Sequence, residues 1–475
     1  MEETDFNTPN YEDEMMRRRV EEFNKPWWEK VTPYTGILYV DYVLSHQMTP
    51  LFCMFMFTIL FRWGYATGRF RWFDGVIKSA GGGERGTKKK KGKKGGKEEE
   101  KNKFKIGALG NLSDLKYNLM EACKTIEGFD VHAYGNVHRQ HMLDFIEAYP
   151  KVLRSYNSPR ELLSNKDLNA LYIALNPIVR FRWTRDALNS KKHVICHSPI
   201  ACTGKEAAEL VRIAKENKLI LKEGLYHRHH PAYRRFMASV AQVGPIFRSK
   251  IVLTIPSWAT WYWPSTNPED DTTASSGAGA FRRYGPFCLD MVRTLFEIED
   301  PSCVLIIRAE PETSVDKNID DKMLVELEIF KEITGEHAKY NESALKKKRR
   351  VIIEVSYGKG FWPEANVQAS GPRGTIKYYN FMLPQYYNSI EVTHRDTGFS
   401  HKDNSYSVNS ARKEALISFA RSYLYEEVDT AAFENSPVFI ADLVARIYEA
   451  ANIRKINSYL GIKGWSYSDD AKKTK

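Results

Sequence analysis

The sequence has few cysteines and lacks the spacings that indicate a metal or disulfide framework. Six cysteines are spread over 475 residues, and no two of them form a C-x-x-C pair. Cys196 and Cys202 stand too isolated to supply a zinc site. This pattern argues against a zinc module and against a small disulfide scaffold. It favours a globular part that faces a reducing compartment.

Long apolar runs are also scarce, and no targeting signal is present. The acidic start of the chain resembles neither a secretory signal nor an acid-poor transit peptide, so residues 1–42 are predicted to form an N-terminal extension. The one dense apolar run is Leu51–Phe61, which reaches the length of a membrane helix, about 20 residues, only when extended to 43–65. We predict a single membrane span over 43–65, in contact with the lipid bilayer. The alternative is a helix that packs on a partner protein.

Residues 66–103 are predicted to form a basic, flexible linker. Ser79–Asn102 has almost no apolar residues, so it cannot form a hydrophobic core. Its lysines supply much of the formal net charge of +11, which makes that charge weak evidence for nucleic-acid binding. They would either contact anionic lipid or form a solvated tether. Their density after the span predicts that the large domain lies on the cytoplasmic or matrix side.

The globular part begins at Phe104 with a strand, a turn and a helix, the place where a dinucleotide fold puts its phosphate loop. The G-x-G-x-x-G fingerprint is incomplete. Gly110 occupies its first position, but Leu112 and Leu115 stand at the second and third. A leucine at the second position should obstruct close approach of a pyrophosphate to the backbone. The acidic residue expected after the second strand is also missing, and Asn136 is the nearest candidate.

The middle of the chain alternates short apolar strands with helices. Leu171–Leu175, His193–Cys196 and Leu219–Leu221 are the strands, and the helices are predicted over 183–190 and 205–218. This alternation indicates parallel βαβ units, hence an α/β class with a Rossmann-type sheet over residues 104–225. Further strands and a helical end indicate an α+β domain over residues 226–460, followed by a tail at 461–475.

Two segments resemble the glucose–fructose oxidoreductase and inositol dehydrogenase family, Gfo/Idh/MocA. Lys192–Pro199 is similar to its GKHV-x-CEKP segment, and Glu223–Pro231 is similar to its E-x-x-x-YRHHP-like segment. The resemblance covers about Phe104 to Leu460. It implies a Rossmann-type domain followed by a domain with an open, mostly antiparallel sheet.

The resemblance also implies a set of positions that would contact NAD(P). These are Gly107, Gly110, Asn111, Leu112, Asn136, Arg139, Asn176, His197 and Pro199. Arg139 follows the second strand, where an arginine could accept a 2′-phosphate. Because the fingerprint is incomplete, the sequence favours no bound cofactor, with NAD(P) as the alternative.

The catalytic positions of the family have different residues here. Ser198 stands where the family has a lysine that polarises the reacting oxygen. Gly277–Asp290 is similar to the family's G-G-G-A-L-x-D-x-G-x-[HY]-x-x-D helix, but Arg283 replaces its acid and Phe287 replaces its His or Tyr. A phenylalanine cannot transfer a proton. The sequence therefore predicts no catalytic residues, and it predicts no metal site.

These departures predict a non-catalytic, oxidoreductase-like subunit that is anchored in a membrane. Its role would be structural or in assembly, among the other subunits of a larger complex such as a respiratory or ATP-synthase assembly of the mitochondrial inner membrane. Family-type dimerisation is compatible with the sequence. Two alternatives stay open: an active NAD(P)-dependent sugar or diol dehydrogenase with a rearranged site, and a nucleotide-binding sensor without turnover.

Overall fold

The computed structural model describes most of the region between residues 104 and 453. The described residues are 104–110, 112–124, 126, 128–136, 139–152, 154–256, 279–313, 319–330, 349–404, 407, 410–424 and 436–453. All of them belong to one compact unit, residues 93–475. The predicted N-terminal extension, span 43–65, linker and tail lie outside the described residues. Among the helices that are described, none has both the length and the apolarity to cross a bilayer. The span therefore stays a prediction.

The first domain is a six-stranded parallel sheet with the spatial order β3-β2-β1-β4-β5-β6. Its strands are β1 Phe104–Gly110, β2 Phe129–Gly135, β3 Arg154–Tyr156, β4 Ala170–Ala174, β5 His193–Cys196 and β6 Leu221–Glu223. All five residues of β4 are buried, as expected for a central strand that is covered on both faces. The prediction of a Rossmann-type parallel sheet is confirmed.

Helices cover both faces of this sheet. They are α1 Leu112–Leu115, which continues through a π-helical turn at Lys116–Met120 into α2 Glu121–Cys123, then α3 Arg139–Ala148, α4 Pro159–Ser164, α5 Pro177–Asn189 and α6 Gly204–Glu216. Ser158 and Thr203 cap α4 and α6 by accepting hydrogen bonds from backbone amides.

Helix α5 begins at Pro177, one and a half turns before the predicted start at residue 183. The early turns contain Arg180 and Arg182, which make the segment look like a polar loop. Both arginines are nevertheless buried. Arg180 donates to the carbonyl oxygen of Leu175 at 2.9 and 2.6 Å and to that of Pro199 at 2.5 Å. It therefore ties together the two loops that follow β4 and β5.

The second domain contains an eight-stranded sheet with the order β14-β13-β12-β11-β7-β10-β9-β8. Its strands are β7 Arg248–Ile255, β8 Val304–Glu312, β9 Lys322–Ile329, β10 Arg349–Tyr357, β11 Glu364–Ser370, β12 Gly374–Tyr379, β13 Ser389–His394 and β14 Ser400–Asp403. Every neighbouring pair is antiparallel except β7 and β10. The prediction of a mostly antiparallel sheet is confirmed.

Four longer helices complete this domain: α7 Pro231–Val243, α8 Ala280–Leu295, α9 Ala411–Leu424 and α10 Ser436–Ala450. Helices α8 and α10 pack on one face of the large sheet and form its core with residues such as Leu289 and Ile447. Helix α9 returns to the first domain, where Leu416 and Phe419 pack beside Phe104. Helix α10, the last helix among the described residues, ends at Ala450.

Candidate functional site

A cleft lies at the carboxyl edge of the parallel sheet, where open α/β sheets bind their ligands. The first domain contributes residues that follow β1, β4, β5 and β6, and the second domain contributes residues of α8, of the loop after β12 and of the start of α9. The polar residues that line the cleft are Asp114, Asn118, Asn176, Arg180, His197, Ser198, Tyr226, His227, Arg282, Arg283, Tyr284, Gln385 and Arg412. Both domains therefore build one site.

The three positions that differ from the family's catalytic residues come together in this cleft. Ser198, Arg283 and Phe287 all line it, although up to 89 positions separate them in sequence. The Arg283 guanidinium lies 5.8 Å from the ring centre of Tyr357. The Phe287 ring meets the ring of His227 edge-on, with centroids 5.7 Å apart. The structure thus brings the three motif positions together, and it shows which other groups accompany them.

Ser198 contacts a buried carboxyl group. Its hydroxyl donates a hydrogen bond of 2.7 Å to Oε1 of Glu223. The register of the sheet explains this contact, because Cys196 at the end of β5 pairs with Glu223 at the end of β6. The other carboxylate oxygen of Glu223, Oε2, is buried and has no hydrogen-bond partner among the described residues.

The environment of Glu223 favours its protonated form. Burial raises the pKa of the Glu223 carboxyl to about 7, against the smaller lowering effects of the Ser198 hydrogen bond and the Arg228 charge. The nearby Asp290 raises this pKa further. A carboxyl group with a pKa near neutrality can both accept and donate a proton under physiological conditions. The motif comparison did not single out this carboxyl group.

A second hydrogen-bonded group joins three aromatic side chains beside Ser198. The Tyr172 hydroxyl lies 2.9 Å from Nε2 of His197 and also hydrogen-bonds to the hydroxyl of Tyr226. Burial, followed by nearby arginine charges, holds the pKa of His197 well below its usual range. Burial raises the pKa values of Tyr172 and Tyr226. All three groups are therefore neutral near pH 7 and act as hydrogen-bonding partners.

A buried charge cluster surrounds Asp290, close to Glu223. Its carboxylate accepts hydrogen bonds from two nitrogens of Arg228 and lies 3.4 Å from Nε of Arg293. His227 Nε2 lies 3.0 Å from Asp290 Oδ2. Burial alone would raise the pKa of Asp290, but the Arg228 charge and these contacts hold it well below its usual range. Asp290 is therefore a permanent anion.

The turn after β1 fits a dinucleotide-binding loop at Gly110. The φ angle of Gly110 is +149°, and a β-carbon there would lie 2.5 Å from the carbonyl oxygen of Ala174. Only glycine allows this close approach of β1 and β4. Asn136 donates to the carbonyl oxygen of Gly110 at 3.3 Å, as does the Tyr134 hydroxyl at 2.9 Å. The Asn136 amide therefore supports the loop.

Two residues after Gly110 are unfavourable for a bound pyrophosphate, and an arginine from another helix offsets them. Leu112 is half-buried at the second glycine position, and the carboxylate of Asp114 lines the cleft one turn later. A carboxylate here opposes a phosphate. Arg412, from α9, lies against this helix by donating to Oδ1 of Asn118. Its guanidinium supplies positive charge to the same wall of the cleft.

Of the remaining positions predicted to contact a cofactor, some line the cleft and others do not. Asn176 and His197 line the cleft, at the ends of β4 and β5. Gly107 does not, because a β-carbon there would lie 2.7 Å from the side chains of Leu168 and Leu171 within the sheet packing. Pro199 is buried beneath the cleft. Arg139 begins α3, and Asn111 lies outside the described residues.

The histidines after β6 have separate structural partners. His230 caps α7 by accepting from the amide of Ala232 at 3.1 Å, and burial lowers the pKa of His229 to about 3. Within the described ranges, no cluster of three His, Cys, Asp or Glu side chains is arranged to hold a metal ion.

The fold and the cleft together define a two-domain, dinucleotide-type oxidoreductase architecture, and the comparisons with known proteins agree. Residues 105–225 match the oxidoreductase family GFO_IDH_MocA, which has an NAD-binding Rossmann fold. The match covers the first domain of this chain.

Two curated relatives illustrate the match. One is dTDP-3,4-didehydro-2,6-dideoxy-alpha-D-glucose 3-reductase of Actinomadura kijaniata, 28% identical over 128 residues, which are 26% of this chain and 36% of the relative. Another is trans-1,2-dihydrobenzene-1,2-diol dehydrogenase of Xenopus laevis, 25% identical over 169 residues, which are 35% of this chain and 48% of the relative. The matches thus span between about a third and a half of these relatives.

A solved structure extends the similarity to the second domain. KijD10, a 3-ketoreductase from Actinomadura kijaniata in complex with NADP and TDP-benzene, superposes with a TM-score of 0.59 at 18% identity. The superposition covers 74% of this chain and 98% of KijD10. At this identity the likeness establishes the fold of both domains.

These findings contradict the prediction of a non-catalytic subunit. The two curated relatives named above are a reductase and a dehydrogenase. The prediction was wrong because it inferred a loss of activity from each replaced catalytic residue separately. The sequence did not show which groups surround these residues in the fold. Ser198 is the clearest case, since it replaces a lysine but contacts Glu223.

Proposed function

We propose that this chain is an NAD(P)-dependent oxidoreductase that interconverts an alcohol and a ketone or aldehyde on a sugar or diol. The observation that carries the proposal is the cleft itself. It combines the glycine turn of a dinucleotide fold with a proton-transfer group, Glu223, that is connected to the cleft by Ser198. The activities of the curated relatives support the same class of reaction.

Residues at the carboxyl edge of the sheet would hold the nucleotide. Gly110 provides the tight turn, and Arg412 supplies the positive charge that offsets Asp114. Asn176 and His197 present polar groups after β4 and β5. When bound, the nicotinamide would supply the hydride or accept it. The protein's own task is then to bind the substrate, to orient its hydroxyl or carbonyl oxygen, and to move one proton.

The composition of the cleft favours a small, hydroxyl-rich substrate. Hydroxyl, amide and imidazole groups from Ser198, Tyr226, Gln385 and His197 face it from both domains. Such groups match a polyol, because each substrate hydroxyl both donates and accepts hydrogen bonds. An apolar alcohol would leave several of these groups without partners, which costs binding free energy.

Nucleotide binding and turnover test this proposal. Calorimetric titration of the full chain with NADH and NADPH should show binding of at least one nucleotide. The loaded protein should then turn over at least one compound from a panel of keto sugars, aldoses and vicinal diols. A folded protein that binds neither nucleotide at millimolar concentration contradicts the proposal.

A further inference from the structure

We infer that Ser198 and Glu223 form a proton relay that does the acid–base work of this site. Ser198 exchanges a proton with the substrate oxygen, and Glu223 is the proton store behind it. This inference rests on the proposed function and specifies how the reaction proceeds without the lysine of the family. It uses two residues that lie 25 positions apart and meet only because β5 and β6 are neighbours.

The geometry provides a path for one proton between the cleft and Glu223. Ser198 lines the cleft, so its oxygen can contact a substrate, whereas Glu223 does not line it. The Ser198 hydroxyl donates to Oε1 of Glu223 at 2.7 Å. This is an ordinary, well-formed hydrogen bond. The serine oxygen is therefore left free to accept a hydrogen bond from a substrate hydroxyl.

The proton balance of the oxidation is complete with these two residues. When bound, oxidised NAD(P) would accept the hydride, with its two electrons, that leaves the carbinol carbon as the substrate C=O bond forms. The substrate O–H bond breaks as its proton passes to Oγ of Ser198, and the proton that Ser198 held passes to Oε1 of Glu223. Serine ends the step unchanged, and Glu223 ends it protonated. Reduction of a ketone runs the same path in reverse.

The charges around Glu223 allow it to change its protonation state near neutrality. Arg228 and Asp290 face it from the turn after β6 and from α8, and Arg180 and the Cys196 thiol interact with it from α5 and β5. The cationic and anionic neighbours oppose each other, so burial dominates and raises the pKa of Glu223 to about 7.

The neighbouring hydroxyl and imidazole groups suit this role less well. Tyr172, Tyr226 and His197 hydrogen-bond to one another, and burial shifts each of their pKa values away from neutrality in the direction of the neutral form. His227 lies beside Asp290 and is enclosed by the rings of Tyr233, Phe287 and Phe381. These groups would position a substrate, while the proton moves through Ser198.

Two substitutions and a matched control test the relay. Glu223→Gln keeps the size of the side chain and an acceptor for Ser198 but cannot take up a proton, and Ser198→Ala removes the link. Ser302→Ala is the control, because Ser302 donates a 2.6 Å hydrogen bond to Asp300 on the surface, away from the cleft. We expect each relay variant to lower the turnover number by about 10² to 10⁴, the usual contribution of general acid–base catalysis. Ser302→Ala should retain the wild-type turnover number.

Three further readouts separate a relay from a structural role. The double variant should be no slower than the slower single variant, because residues that act as a unit are not additive. Ser198→Thr, which keeps the hydroxyl, should recover most of the activity. Infrared spectroscopy of the protein without nucleotide should show a protonated-carboxyl band that is lost with a midpoint near pH 7 and is absent in Glu223→Gln.

The outcomes distinguish failure of the relay from failure of the proposed function. If the wild-type protein turns over substrate and Glu223→Gln loses less than threefold, the relay is wrong and the oxidoreductase function stands. If no infrared band titrates between pH 6 and pH 8, the relay is also wrong, whether or not turnover is found. If the wild-type protein binds no nicotinamide nucleotide, the proposed function is overturned.

Discussion

Two carboxyl groups near the Tyr226–His229 turn have pKa values that are shifted in opposite directions. Glu223, at the end of β6, contacts a neutral hydroxyl, and burial raises its pKa to about 7. Asp290, in α8, is fully buried, and burial alone would raise its pKa, but the Arg228 charge and the hydrogen bonds from His227 and Arg228 hold that pKa well below its usual range. Different partners thus favour the protonated acid near neutrality at Glu223 and a fixed negative charge at Asp290.

Asp290→Asn should have the largest effect on stability, because it removes the fixed negative charge of this cluster. The substitution removes the buried carboxylate that Arg228 and Arg293 both contact. Removal of one partner from a buried ion pair typically costs about 3–5 kcal/mol in the free energy of unfolding. Urea unfolding followed by circular dichroism measures it. Glu216→Gln, which removes an exposed partner of Arg212, serves as a control and should cost less than about 1 kcal/mol. Equal effects of the two substitutions would contradict the distinction.

Glu223→Gln should change how stability depends on pH. Between its ordinary pKa and about 7, native Glu223 retains a proton that the unfolded chain has lost. Its contribution is therefore fully present below about pH 4.5 and is lost as the pH rises to about 7, by up to about 3 kcal/mol. Urea unfolding of both proteins from pH 4.5 to pH 8 should show this decline in the wild-type protein only. Parallel pH profiles would exclude a raised pKa at Glu223.

Arg412→Gln tests a second fixed charge, on the nucleotide side of the cleft. Loss of this guanidinium should weaken binding of NAD(P)H about tenfold, or about 1.4 kcal/mol, because Arg412 offsets Asp114 and the phosphate charge. Calorimetric titration gives the dissociation constant. Arg421→Gln, on an exposed part of the same helix, provides the matched control and should leave binding unchanged. Unchanged binding in Arg412→Gln would place the nucleotide elsewhere.

Asp114→Asn should have the smallest effect, and in the opposite direction. Removal of this carboxylate from the first turn of α1 lowers repulsion of the pyrophosphate, so nucleotide affinity should rise about two- to fivefold, or about 0.4–1 kcal/mol. The same titration detects it. Glu121→Gln removes an equal charge from the next helical segment, where Glu121 pairs with exposed Lys124, and controls for the change in net charge. Weaker binding in Asp114→Asn would mean that Asp114 organises the site.

The sequence predicted the parts of the fold that depend on local patterns. Short apolar strands that alternate with helices indicated the parallel sheet. Strand β9 is harder to predict, because Glu326 and Glu328 limit its first apolar run to Met323–Val325. The start of α5 was missed because Arg180 is buried by hydrogen bonds to distant carbonyl groups.

The site was only half predictable from the sequence. The positions of Ser198, Arg283 and Phe287 could be found from motifs, and all three line the cleft. Their chemistry could not be inferred, because it depends on contacts such as Ser198 with Glu223 that arise from strand pairing. One signal was available: both residues stand at the ends of consecutive predicted strands, which meet at the same edge of a parallel sheet.

Deuterium transfer from nicotinamide-labelled NAD(P)H to a keto sugar tests the central claim most directly. We predict that the wild-type protein and Ser302→Ala place deuterium on the carbon of the newly formed alcohol, detected by mass spectrometry. Glu223→Gln should do so at least a hundredfold more slowly at pH 7. A wild-type protein that binds the labelled nucleotide and transfers no deuterium to any member of the substrate panel would contradict the account.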